Sequence, residues 1–290
     1  MTVDDCRRFY SEEIRFTGNI RSPAVIGAFA QVSREKFLGP GPWEVASAET
    51  RARSIAGGMQ ASYTRIDDPR DLYHNVVVVL EKSCDINNGQ PSALARWIEA
   101  LDLKPGDRAY HLGSGVGYYT AIIAELVGPG GSVASSEVQP DLAARAKNNL
   151  SGYPNVTVFA GDGAAFDPGE CHAMLINAGV THPSPLWLDR LREGGRLVVP
   201  LTMATTPTVG VGVMAKIVRQ GNRFLAQMVT PLAIYSCTTM RDAQRESLIK
   251  AAMTTGKLMN LKSVRRDVHQ PSDTCLVHGD DVCVSSAAID

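Results

Sequence analysis

Ala109-Tyr110-His111-Leu112-Gly113-Ser114-Gly115-Val116-Gly117-Tyr118-Tyr119 is the stretch on which the fold turns. Arg108 to Leu112 reads as a strand; it ends in alternating glycines and passes directly into a helix over Tyr118 to Val127. Glycine lets the backbone of such a turn approach a ligand closely, and the helix that follows offers N–H groups with no intrahelical partner. The spacing is GxGxG. A dinucleotide site wants GxGxxG, whose third glycine admits close helix packing; here Gly117 comes one residue early and Tyr118 fills the place that must be small. That weighs against a nicotinamide-dependent oxidoreductase. A glycine-rich βα connection without any ligand stays open beside a ribose-binding turn.

The same pattern repeats downstream. Ser132 to Glu137 reads as the next strand and Asp141 to Leu150 as the next helix, with further apolar runs at Asn155 to Ala160, Ala173 to Asn177 and Arg196 to Leu201. Strands separated by helical stretches imply parallel pairing with right-handed crossovers. Val209 to Val218 and Phe224 to Tyr235, joined at Gln220-Gly221-Asn222, read as a hairpin on the same sheet. The expectation is an α/β fold with a doubly wound, mostly parallel sheet of seven strands, preceded by N-terminal helices and followed by a C-terminal extension. Upstream, Ser22-Pro23 caps a helix from Ala24 to Val32, and Pro91 opens an amphipathic helix carrying Leu94, Ile98 and Leu101 on one face. Between Glu44 and Asn88 only the run Val76 to Val79 has a pattern. The expected parts are an N-terminal helical and irregular cap over 1–90, a ligand-binding domain over 91–238, and a helix and hairpin over 239–290.

Composition bounds what such a chain does. At 290 residues it buries roughly 75% of the surface of its unfolded form and needs no covalent staple. Its 29 basic and 30 acidic side chains give a formal charge of −1, which excludes a general electrostatic grip on nucleic acid or anionic lipid. The longest aliphatic run, Val76 to Leu80, is too short to span a bilayer, and Asp4 and Asp5 stand where a signal peptide wants positive charge. The expectation is a soluble, cytoplasmic protein. Its six cysteines, Cys6, Cys84, Cys171, Cys237, Cys275 and Cys283, are scattered and read as free thiols. Cys275, His278 and Cys283 come nearest to a metal site, but a fourth ligand is missing and Gly279-Asp280-Asp281 between them reads as a hairpin turn, so no metal is expected.

Polar residues fall at successive strand ends. Glu137 lies 20 residues beyond Gly117, where a carboxylate can take both hydroxyls of a ribose; as a lone residue it would be a solvated cap. Asp162 and Gly163 follow the third strand and Asn177 the fourth, at the same edge of the sheet. Together they describe a single site at the topological switch point.

On these motifs the sequence resembles the class I S-adenosylmethionine-dependent methyltransferases, and within them the protein-L-isoaspartate O-methyltransferase family. The residues that carry the resemblance are Val32-Ser33-Arg34-Glu35-Lys36-Phe37, Leu103-Lys104-Pro105-Gly106-Asp107-Arg108, Gly161-Asp162-Gly163 and Leu191-Arg192-Glu193-Gly194-Gly195-Arg196-Leu197-Val198-Val199-Pro200. The resemblance implies a Rossmann-like methyltransferase fold with S-adenosyl-L-methionine as cofactor. It further implies that Gly113, Gly115 and Gly117 pass the methionine part, with Glu137 on the ribose and Asp162 on the adenine amino group. The acceptor the resemblance implies is a carboxylate of a peptide or protein; another small molecule or modified peptide, or cofactor binding without turnover, are the alternatives. His111 and His172 stand where the family is typically acidic, and the segment with the family's active-site serine corresponds to Asn87-Asn88-Gly89-Gln90-Pro91, with Gly89 in the serine place.

Candidate roles follow for the remaining residues. His111, Ser114 and Tyr118 adjoin the glycine turn as cofactor contacts, with core packing as the alternative for the histidine and the tyrosine. His182 can serve as a general base, and Asn88 and Gln90 can orient an acceptor carboxyl, or else cap the helix at Pro91. A carboxylate acceptor, ionised at neutral pH, needs no base.

Overall fold

In the computed structural model, residues 1–47, 49–50, 62–81 and 86–288 are described; Cys84 lies outside them. A capping box opens the chain. The Asp5 N–H donates to Thr2 Oγ1 at 3.1 Å, the Thr2 N–H donates back to the Asp5 carboxylate at 3.0 Å, and helix α1 (Val3–Thr17) follows. Helix α2 (Pro23–Gln31) starts as its cap and proline predict, with Ser22 accepting from the Val25 N–H. A single turn, α3 (Glu35–Leu38), leads into a small antiparallel sheet of β1 (Trp43–Ser47), β2 (Thr64–Ile66), β3 (Val76–Glu81) and β4 (Ile86–Asn87), in the order β2-β1-β3-β4. Most of this sheet gave no periodic signal, because two of its strands are only two or three residues long.

Helix α4 (Pro91–Ala100) opens the doubly wound part: β5 (Arg108–Leu112), α5 (Tyr118–Val127), β6 (Ser132–Glu137), α6 (Pro140–Asn149), β7 (Val156–Ala160), β8 (Cys171–Ile176), α7 (Pro185–Arg190) and β9 (Leu191–Ala204). The hairpin β10 (Val209–Gln220) and β11 (Arg223–Tyr235) follows, then α8 (Ala243–Thr254) and three short strands, β12 (Ser263–Arg265), β13 (Cys275–Val277) and β14 (Cys283–Ser285). The sheet runs β13-β14-β12-β11-β10-β9-β8-β5-β6-β7. Its doubly wound half, β7-β6-β5-β8-β9, is parallel; from β9 to the β13 edge every pairing is antiparallel. The expected seven strands are thus the core of a mixed sheet of ten. The additional three have three residues each, too few to display an alternation.

Consecutive residues of the central strands enter different apolar clusters. Ala109, Ala173, Leu175 and Val198 join a cluster with the N-terminal helices, while Tyr110, Met174, Ile176, Leu197 and Val199 join one under α7, α8 and the C-terminal strands. Burial on both faces explains why these strands read as continuous apolar runs. The first cluster crosses position 90: Tyr10, Phe29 and Phe37 share it with Leu94, Tyr118 and Ile122. Among the described residues no helix is long and apolar enough to cross a membrane.

Candidate active site

From β5 the chain winds outward to β6 and β7, then returns to β8 on the other side of β5. The crevice between such oppositely wound halves, at the carboxyl ends of the strands, is where open α/β sheets bind ligands. A cleft lies there, and Gly113, Gly115, Glu137, Asp162, Gly163 and Asn177 line it.

Backbone hydrogen bonds fix its floor. The N–H groups of Gly113 and Ser114 both donate to the Ser136 carbonyl, at 2.9 and 3.1 Å, and the Asn177 N–H donates to Leu112 O at 2.8 Å. Asn177 Nδ2 also reaches Gly113 O at 3.3 Å. Gly113 has φ +77°, and a Cβ there would lie 3.0 Å from Asn177 O. At Gly163 a Cβ would fall 2.1 Å from Ser136 Oγ and 2.7 Å from Tyr110 Oη. The buried Tyr110 hydroxyl donates to Gly163 O at 2.8 Å and pairs with Ser136 Oγ at 2.7 Å, tying three strand ends together. These glycines are required by close approach.

Glu137 is 6% exposed. Its carboxylate accepts the Gly115 N–H at 2.8 Å and the Gln139 N–H at 3.0 Å. Burial pushes its pKa above the usual carboxylate value, and the N–H donors oppose that rise. Each carboxylate oxygen accepts one of these bonds and keeps a further lone pair for a ligand hydroxyl. Asp162 Oδ1 accepts from the Ala164 N–H at 2.9 Å and from Thr239 Oγ1 at 3.1 Å.

Other expected residues face elsewhere. His111 is fully buried against α5, its Nδ1 2.9 Å from Thr120 Oγ1, and burial alone holds its pKa down at about 3. Tyr118 packs into the N-terminal aromatic cluster, with ring centroids 5.7 Å from Phe37 and 6.3 Å from Phe29. Gly117 serves helix packing, since a Cβ there would meet Leu150 Cδ1 at 2.8 Å. Ser114 lends its N–H to the floor and is itself buried. The three expected catalytic groups are not brought together. Asn88 Oδ1 accepts from the Val78 N–H at 2.9 Å and from Arg34 Nη2 at 3.3 Å, and Gln90 Nε2 donates to Asn75 O at 2.5 Å. Asn88 Oδ1 and Gln90 Nε2 are thus taken by backbone and core groups, while Asn88 Nδ2 and Gln90 Oε1 are buried without a hydrogen-bond partner. His182 sits 3.0 Å from Thr181 Oγ1, outside the cleft wall, and burial, with the Arg245 charge second, lowers its pKa to about 4.

The far wall was not foreseen. Tyr235, Ser236, Cys237 and Thr238, at and beyond the end of β11, close the cleft opposite Glu137, and Ile86 and Asn87 of β4 also line it. Gly179 straps this segment down: its N–H donates to Tyr235 O at 2.7 Å and its carbonyl accepts the Cys237 N–H at 2.8 Å. The Ser236 hydroxyl is buried there with no hydrogen-bond partner. The only sequence signal was a small polar run directly after an apolar strand.

A family model described as protein-L-isoaspartate(D-aspartate) O-methyltransferase matches residues 10–235. The protein-L-isoaspartate O-methyltransferase of Ignicoccus hospitalis is 30% identical over 197 residues, 65% of this chain and 90% of its own length. Protein-L-isoaspartate O-methyltransferase 1 of Archaeoglobus fulgidus is 37% identical over 210 residues, 71% of this chain and 83% of its own. Among solved structures, a protein-L-isoaspartate O-methyltransferase superposes with a TM-score of 0.63 at 20% identity, covering 86% of this chain and 69% of that one. A Plasmodium falciparum structure described as a member of the same enzyme class in complex with S-adenosyl-L-homocysteine gives 0.58 at 18% identity, covering 80% and 98%. At these identities the structural likenesses speak for the fold.

Proposed function

The chain belongs to the protein-L-isoaspartate O-methyltransferase family and is a methyltransferase that uses S-adenosyl-L-methionine; from that premise we propose that it methylates a carboxylate of a peptide or protein, of the isoaspartyl type. The cleft at the switch point carries this reading, because its residues fit the cofactor: Gly113 and Gly163 let the strand ends that line it close on one another where a side chain would push them apart, and both Glu137 oxygens retain a lone pair for a ligand hydroxyl. Gly113 and Gly115 would border the methionine part, Glu137 would take the ribose hydroxyls and Asp162 the adenine amino group. When bound, the cofactor supplies a methyl group on a sulfonium whose departing thioether is neutral.

The chain's own task is then alignment, for which pre-organisation supplies on the order of 7–11 kcal/mol. A carboxylate with pKa near ~4 is ionised at neutral pH, so no general base is required, in accord with a wall that lacks His182. To Ser236, whose hydroxyl is buried without a partner in a residue that lines that wall, we assign the role of donating to the acceptor carboxylate and holding it in line.

A second reading has its own observation. At Gly89, the position matching the family's active-site serine, φ is +78° and a Cβ would stand 2.8 Å from Leu94 Cδ2. The backbone there is shaped for glycine, which favours an acceptor presented differently, on a modified peptide or a small molecule. An isoaspartyl peptide incubated with labelled cofactor decides between them. Incorporation of one methyl supports the first reading; an unlabelled peptide beside a labelled acceptor in a cell extract supports the second. For Ser236→Ala, kcat/KM is expected to fall about 5- to 150-fold, a loss of roughly 1–3 kcal/mol, with cofactor affinity retained.

A further inference from the structure

Beyond the residues matched by the family model, four metal-ligating side chains converge. His269, Cys275, His278 and Cys283 each contribute one ligand atom, and these atoms lie within 4.8 Å of one another. We propose that they bind zinc in a closed Cys₂His₂ site that staples the C-terminal strands to the sheet.

The fold places the ligands from separate pieces of chain. Cys275 begins β13, Cys283 begins β14, His278 directly follows β13, and His269 comes from the loop before it. His269 supplies the fourth candidate ligand that the sequence reading lacked. Its Nε2 is 3.4 Å from Cys275 Sγ. A tetrahedral zinc with bonds of about 2.3 Å to sulfur and about 2.0 Å to nitrogen sets such atoms about 3.5 Å apart. That pair already stands at metal-binding distance, and the full set of four atoms, within 4.8 Å, would draw in around the ion.

Orientation agrees. His269 Nδ1 lies 2.8 Å from the Asp267 carbonyl, to which it must donate, so Nε2 carries the lone pair toward the cluster. His278 Nδ1 is buried without a hydrogen-bond partner, an uncompensated polar atom that a metal bond would satisfy. Ser272 directs its backbone N–H at Cys275 Sγ from 3.4 Å and its hydroxyl lies 3.5 Å away, donors suited to a thiolate. Both cysteines are free thiols. On binding, each thiol releases its proton to solvent; two thiolates and Zn²⁺ sum to zero charge, and the imidazoles bind neutral. Two sulfurs and two nitrogens fill a tetrahedron, leaving no open position, the pattern of a structural site.

The location gives zinc a purpose. Strands β12 to β14 have three residues each and reach the second apolar cluster through Val264, Leu276, Val277 and Val284, whereas Val268 in the loop that joins β12 to β13 is 96% exposed, so that loop is the part with little apolar burial for a metal to tie down.

Elemental analysis of the full-length protein, purified without chelator, is expected to give one zinc per chain. Replacement by Co²⁺ should produce thiolate-to-cobalt absorption and tetrahedral d–d bands. The Cys275→Ser, Cys283→Ser double variant should lose the zinc while still binding S-adenosyl-L-homocysteine. Should that variant fail to fold, the wild type answers: both thiols should resist a thiol reagent until a strong chelator is added, and re-added Zn²⁺ should restore protection. A chain that holds no zinc and neither takes up Zn²⁺ nor gives cobalt bands overturns the proposal. So does a double variant that keeps its zinc, or a Cys275–Cys283 disulfide in the purified protein.

Discussion

Glu137 and His111 respond to burial with opposite signs. Burial raises the Glu137 carboxyl above its ordinary value, with N–H bonds from Gln139 and Gly115 opposing. Between the unfolded and the raised folded pKa the native state binds the extra proton, so stability falls as pH rises through that window and levels off above it. Ribose binding uses the ionised form, so cofactor affinity should be level above the raised pKa and weaken as pH falls through it. Glu137→Gln is expected to weaken S-adenosyl-L-homocysteine binding by about 1–3 kcal/mol in calorimetric titration, with neutral-pH stability retained or increased. Unchanged affinity would remove the ribose assignment. For His111, held at about 3, the native state binds fewer protons than the unfolded chain below about 6.5, so stability is lost as pH falls from there. The slope approaches about 1.4 kcal/mol per pH unit, and urea midpoints of His111→Asn across that range should show the acid limb flattened. At this scale the sequence disclosed residues whose place follows from topology, Glu137, Asp162 and Asn177. Asn88, Gln90 and His182 do not line the cleft, which the sequence could not disclose, because a polar loop side chain reads alike whether it faces a cleft or a neighbouring carbonyl.

Elements set the cleft's shape through backbone approach, and Gly163 is where the tolerance is smallest. A methyl group at this position would overlap the Ser136 and Tyr110 hydroxyls that tie β5, β6 and the turn after β7 together. Overpacking of this kind costs typically about 1–3 kcal/mol. Gly163→Ala should weaken cofactor binding about tenfold, or ~1.4 kcal/mol, with only a modest fall in melting temperature. A variant of wild-type affinity would mean that the turn is not a cofactor wall. Arg34 makes a comparable point for the N-terminal part. Fully buried, it donates to the carbonyls of Leu72, His74 and Val76 and to Asn88 Oδ1, holding the segment that leads into β3 against the residue that follows β4. The glycine turn and its flanking strands were plain in the sequence because each element signals itself within about ten residues. The small sheet and β12 to β14 were not, since their strands are short and their partners distant in the chain.

Over the whole molecule, the face of the sheet that carries the N-terminal helices governs a cleft those helices do not line. Gly117 and Tyr118, which anchor the glycine turn to α5, pack against Leu150 and against Phe29 and Phe37 respectively. The rear support of the cofactor turn therefore belongs to a cluster that residues before position 39 help to build. Deleting residues 1–38 would uncover Tyr118, Tyr119 and Ile122 on an otherwise buried helix, and exposed apolar area of that kind costs about 25 cal/mol per Å². The trimmed chain should lose S-adenosyl-L-homocysteine binding and near-UV circular dichroism and should gain dye-accessible apolar surface, although no deleted residue lines the cleft. A trimmed chain that binds the ligand as the full chain does would show that the doubly wound part stands alone and that the shared cluster is dispensable to the site.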